Sequence, residues 1–133
     1  MTTKTLTLDL LAFSFAIARL DPQAAIPAWA QAGALASVTR TPTELSVVCQ
    51  SEQVPDTVHA QRGYRCLRVL GPLEFSAIGV LASLAAPLAG AGISIFALST
   101  YDTDYLLLQE RELDAALACL AQAGHQVRPV REG

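Results

Sequence analysis

The chain has 133 residues, 52% of them hydrophobic and 16% charged, with a formal net charge of −3. That length suits one compact domain or two small units that share a core. The nine basic residues are scattered without runs, which excludes the electrostatic footprint of a nucleic-acid binder.

In chain order, Lys4 precedes an apolar stretch and Ala16-Ile17-Ala18 imitates a signal-peptidase site. Asp9 interrupts that stretch, however, and Phe13 to Leu20 alternates like a half-buried strand, so a cytoplasmic chain is expected. Asp21-Pro22 reads as an N-cap followed by proline at the first helical position. A short helix is predicted from there to Gln31, ended by Gly33. Strands Ala34 to Thr39 and Glu44 to Cys49 follow, joined by Arg40-Thr41-Pro42-Thr43. Ser51 to Gly63 makes a poor second helix, because Pro55 interrupts it and its apolar stripe is thin.

Arg65 to Leu73 begins the second half as a strand, and a helix is predicted over Gly79 to Ala89 with Leu81, Leu84 and Leu88 on one face. Phe75 to Tyr101 carries no charge and is long enough to suggest a membrane span. Gly79, Pro87, Gly90 and Gly92 break it, and no basic cluster flanks it, so no membrane partner is expected. Strands Ile93 to Ser99 and Asp104 to Leu108 flank a tight turn through Thr100 to Thr103. A helix from Glu110 to Ala123 carries a stripe of Leu113, Ala116, Leu117 and Leu120. Gly124 stops it, and Gln126 to Val130 forms a last strand. The order is βαββαβ, an α+β arrangement with helices on one face of an antiparallel sheet.

The halves repeat. Ala30-Gln31-Ala32-Gly33 matches Ala89-Gly90-Ala91-Gly92 at an offset of 92 − 33 = 59, and Thr43-Glu44 matches Thr103-Asp104 at 104 − 44 = 60. Helix, glycine stop, strand, turn, Thr-acid and strand recur in that order, an internal duplication with one indel. Units at residues 1–62 and 63–133 are expected.

Ala91-Gly92-Ile93-Ser94-Ile95-Phe96-Ala97-Leu98-Ser99-Thr100, followed by Thr103-Asp104, resembles the ACT domains of aspartokinase regulatory regions and the CASTOR-like group. Arg40 to Ser46 also resembles the first unit of that group. Ser76-Ala77-Ile78-Gly79 falls where many ACT domains carry Asp-Arg-Pro-Gly, and only the glycine survives here. The resemblance implies two ferredoxin-like ACT units and a regulatory or sensor protein that binds a small molecule, an amino acid. In similar tandem units strands are exchanged, so Thr5 to Leu10 or the strand after Gly124 is expected to complete the first unit.

Catalysis is not expected. The sequence holds no Walker loop, nucleophile elbow or metal-ligand spacing, and no cofactor is implied. Cys49, Cys66 and Cys119 sit among apolar neighbours and are expected to be reduced and metal-free; His59 and His125 are expected at the surface or in loops. Following the resemblance, the candidate ligand residues are Glu74, Ser76, Ala77, Ile78, Gly79, Gly92, Ile93, Ser94, Ile95, Thr103 and Asp104. A helix start can hold a carboxylate, and Asp104 or Glu74 an ammonium or guanidinium, which points to a basic amino acid. A homodimer and a regulated partner protein are expected. The rival reading is a protein–protein interaction module with no metabolite ligand.

Overall fold

A computed structural model of the protein describes residues 5–71 and 79–129. Its contacts divide the chain into two units: Phe13–Tyr64 forms the first, and the residues up to Ala12 join those from Arg65 onward in the second. The chain passes from one unit to the other between Tyr64 and Arg65, and the N-terminal strand belongs with the C-terminal half.

The first unit contains β2 (Phe15–Leu20), β3 (Ser37–Arg40), β4 (Leu45–Gln50) and the start of β5 (Ala60–Val69), with β1 (Thr7–Leu10) preceding it in the chain. The strand order is β3-β4-β2-β5, and each neighbouring pair is antiparallel. Numbered within the unit, that is 2-3-1-4, the ferredoxin-like order. Its fourth strand is therefore the N-terminal part of β5, through the pairs Ala18↔Ala60, Ile17↔Gln61 and Phe15↔Tyr64. Neither of the two strands expected to complete this unit does so. Between the pairs Ile17↔Gln61 and Phe15↔Tyr64 one residue of β2, Ala16, opposes two of β5, Arg62 and Gly63, and Gly63 has φ +79. A residue with a side chain would resist that bulged backbone.

No α-helix forms in the first unit, which corrects the helix predicted from Asp21 to Gln31. The Asp21 carboxylate accepts the Gln23 N–H at 2.8 Å and the Asp21 carbonyl accepts the Ala24 N–H at 3.0 Å, so the chain turns at once. Pro27 then removes a donor and pushes Ile26 away from helical backbone angles. Only a single 3-10 turn remains, Ala28–Ala30. A second 3-10 turn, Ser51–Gln53, stands in place of the other helix.

In the second unit β5 is followed by α1 (Val80–Gly90), β6 (Phe96–Ser99), β7 (Asp104–Gln109), α2 (Leu113–Gln122) and β8 (Gln126–Pro129). β7 pairs with β5 and β6; β1 pairs antiparallel with β5 and parallel with β8. The order β6-β7-β5-β1-β8 is again ferredoxin-like, with β1 inserted between the unit's first and last strands. Leu8, Leu67, Val69, Leu106 and Leu108 from the sheet meet Val80, Leu84, Leu88, Ala116 and Leu120 from the helices in one buried cluster. Strand alternation puts Asp9, Arg68, Tyr105 and Arg128 on the opposite face.

Both helices end alike. The Ile93 N–H donates to the Leu88 carbonyl and Gly92 to Ala89; His125 donates to Leu120 and Gly124 to Ala121. With Gly92 at φ +77 and Gly124 at φ +95, each is a Schellman stop. This is why β6 begins at Phe96 instead of Ile93.

His125 lies in the loop between α2 and β8, one of the two placements expected for it, but it is buried there and not at the surface. Pro87 lacks the N–H that would bond the Ser83 carbonyl one turn back. That carbonyl lies 3.0 Å from His125 Nε2, while His125 Nδ1 accepts the Leu6 N–H at 3.1 Å. The imidazole is therefore neutral with its proton on Nε2, and it repairs the gap left by the proline. Cys119 donates its thiol to the Pro87 carbonyl at 3.1 Å.

Candidate functional site

The β6–β7 turn is tied down by one residue. Thr103 is buried, and its Oγ1 donates to the Val69 carbonyl at 2.7 Å, clamping the turn to the end of β5. Within the turn Thr100 N–H donates to the Thr103 carbonyl at 2.8 Å, and Thr103 N–H returns a bond to Thr100 Oγ1 at 3.3 Å. Beside the clamp lies a groove of about 380 Å³, walled by Arg68–Gly71 on one side and by Asp102, Thr103 and Tyr105 on the other. That volume is at the small end of ligand pockets, which span roughly 300–1,000 Å³.

Arg68 is fixed from behind. Asp9, almost fully buried, pairs in register with Arg68 on β5 and with Arg128 on β8. Its Oδ2 lies 3.0 Å from Arg68 Nη2 and its Oδ1 lies 2.5 Å from Arg128 Nε. The Arg128 hydrogen bond, joined by Arg68, holds the Asp9 carboxyl below its ordinary value although burial pushes it up. One carboxylate between two guanidiniums leaves the triplet with a net positive charge, and Arg68 carries part of it to the groove wall.

The other predicted residues are dispersed. Gly79, exposed at φ +78, precedes α1, whereas Gly92 to Ile95 follow its end. Eleven residues of helix separate them by about 16 Å, at 1.5 Å per residue. Within one chain the two segments cannot touch the same small ligand. Gly92 and Ile93 make the helix stop, Ile93 is buried in the core cluster, Ser94 is exposed and Ile95 packs against the cluster. Asp104 closes the hairpin: it pairs with Ser99 in register and accepts the Ser99 hydroxyl at 2.6 Å. Glu74, Ser76, Ala77 and Ile78 lie outside the described residues.

Of the residues singled out in the sequence, Thr103 lines this groove; Arg68, Asp102 and Tyr105, which also line it, were not among them. The available signal was a lone charge inside an apolar strand, as in Leu67-Arg68-Val69, Leu8-Asp9-Leu10 and Val127-Arg128-Pro129. Such charges need partners across the sheet. Burial pushes the Cys66 thiol up to about 12 and raises that of Cys49, so neither is poised as a thiolate nucleophile, and Cys49, Cys66 and Cys119 form no disulfide. Among the described residues no cluster of metal-ligating side chains occurs, and no helix is long and apolar enough to cross a membrane.

Comparison with known proteins locates this geometry. Residues 59–122 match the family model of the ACT domain, and residues 14–57 match a second model described only as an N-terminal domain. The human protein CASTOR3P is 36% identical over 90 residues, a match spanning 58% of this chain and 55% of that protein. The chain thus spans about half the length of this curated relative. A solved protein from Agobacterium tumefaciens superposes with a TM-score of 0.92 at 39% identity, over 97% of this chain and 96% of that one. The regulatory subunit of aspartate kinase from Thermus thermophilus, in its ligand-free form, gives a TM-score of 0.61 at 14% identity, covering 92% and 99% of the two chains, and shares the fold.

Proposed function

Since residues 59–122 match the ACT-domain model and the chain shares its fold with the regulatory subunit of an aspartate kinase, we propose that it is a cytoplasmic amino-acid sensor without catalytic activity of its own. The observation that carries the reading is the groove beside Thr103, a hollow of about 380 Å³ whose lining includes a basic residue, Arg68, and an acidic one, Asp102. Asp102 in the groove and Asp104 beside it favour a ligand with a cationic group, so a basic amino acid such as arginine or lysine leads the candidates. Binding works by population shift: a ligand that prefers one arrangement of the chain, or of a homodimer, raises its share and so changes what a regulated partner meets. Gly79 and Gly92 to Ile95 join such a ligand only across two copies, since α1 separates them in one.

A thermal-shift screen of the intact protein with the twenty free amino acids tests the proposal. An amino acid at a hundred times its dissociation constant stabilises by about 2.7 kcal/mol, an upward shift of several degrees. No shift with any of them contradicts the sensor reading and favours the interaction module, which would recruit the outer edges of β3 and β6. Among the described residues each of those strands pairs on one side only.

A further inference from the structure

We propose that Arg68 is the carboxylate receptor of the groove, taking the α-carboxylate of a free amino acid while Asp102 faces its cationic group. The inference rests on the amino-acid reading above and deepens it. Three observations support it. Arg68 both lines the groove and contacts Asp9, whereas Arg128 contacts Asp9 but does not line the groove. A guanidinium has five N–H donors, and among the described residues the side chain of Arg68 donates only through Nη2, to Asp9, so donors remain there for a second anion. The Asp9–Arg68–Arg128 triplet has one negative and two positive charges, so an arriving carboxylate completes its balance.

The device is pre-organised. A free arginine side chain loses rotamer freedom when it binds, but Arg68 is already held by Asp9 in the adjacent strand, so that cost is met on folding. Leu70, an exposed large hydrophobic residue, and Tyr105 add apolar surface to the same hollow. A ligand with both charges and some hydrocarbon, the chemistry of an amino acid, matches all of these walls. An amine lacking the carboxylate leaves Arg68 unanswered.

Calorimetry on the full chain tests this with each of the twenty free L-amino acids and, for any that binds, its α-carboxamide. Arg68→Gln is expected to weaken the binding acid at least tenfold, and Arg128→Gln less than threefold. The carboxamide is expected to bind wild type at least tenfold more weakly than the acid, and that penalty is expected to vanish in Arg68→Gln. Equal loss in both arginine variants overturns the assignment, because Arg68 would then act only through the Asp9 triplet. Unchanged binding in Arg68→Gln also overturns it while leaving the sensor reading intact. If none of the twenty binds wild type, both readings fall. Should Arg68→Gln not fold, the carboxamide on wild type decides alone: binding equal to that of the acid overturns the proposal.

Discussion

In the first unit the inner face of the sheet carries Ala16, Ala18, Val47 and Cys49; in the second it carries Leu8, Leu67, Val69, Leu106 and Leu108. Apart from β1, inserted in the second unit, the strand order is the same, but the covering layer differs. Small side chains allow a loop to lie close to the sheet, and Trp29, Val54 and Val58 fill the remaining space. Leucines need the wider spacing that helices provide. A helix also satisfies its own backbone, whereas a loop must be satisfied by side chains. Gln50 Oε1 accepts the Ala34 N–H at 2.6 Å, Gln53 Nε2 donates to the Trp29 carbonyl at 2.8 Å, and Arg62 donates to the carbonyls of Ser51, Val54 and Pro55. One strand arrangement thus tolerates two kinds of cover, provided the inward volumes and the backbone partners change together.

The sharpest break in this comparison is expected at the glycines. A Cβ on Gly33, which has φ +104, would lie 2.6 Å from Gln50 Oε1 and 2.8 Å from Gln53 Oε1. Gly33→Ala should therefore both strain the backbone and displace the side chains that hold the loop, costing about 2–4 kcal/mol by chemical denaturation. Gly92→Ala meets open space and costs only the left-handed backbone, about 1–2 kcal/mol. Equal losses at the two positions would show that the first unit does not depend on its glutamine clamp.

A smaller effect is expected at the repaired proline. His125→Phe strands the Ser83 carbonyl and the Leu6 N–H and should cost about 1–3 kcal/mol. Pro87→Ala returns an N–H to Ser83, so in the His125→Phe background it should recover part of that loss and gain less in wild type. Additive effects in the double-mutant cycle would remove His125 from this role.

The smallest effect concerns acid. The folded-state pKa of Asp9 is depressed, so its contribution is present above the ordinary carboxylate value of 3.8 and fades as pH falls through the lower folded value. Thermal melts of wild type and Asp9→Asn should differ by a few degrees at neutral pH, and the gap should close below about pH 4. A gap that stays constant between pH 3 and pH 7 would mean that the pairing with Arg68 and Arg128 does not stabilise the fold.

The sequence made the second unit legible because its elements are long and periodic. Leu84 and Leu88 mark one helix face, Ala116 and Leu120 another, and Gly92 and Gly124 mark both stops. The first unit was harder. Asp21-Pro22 has the composition of a helix start, and only Pro27 and the Asp21 turn, acting together, cancel it. Strand insertion was hidden for a different reason: β1 reads simply as an apolar strand, and pairing with β5 and β8 depends on residues far away in sequence. The lining of the groove was marked in the sequence only in part. Thr103 stood out through the repeat, whereas Arg68 becomes meaningful only when Asp9 and Arg128 are seen beside it in register.

The most direct test of the amino-acid groove is an NMR titration of the intact, isotope-labelled protein with the twenty free amino acids. The account predicts saturable amide shifts, for at least one of them, centred on Arg68 to Gly71 and Asp102 to Tyr105. No saturable shift with any amino acid, or shifts confined to Phe13–Tyr64, would contradict it.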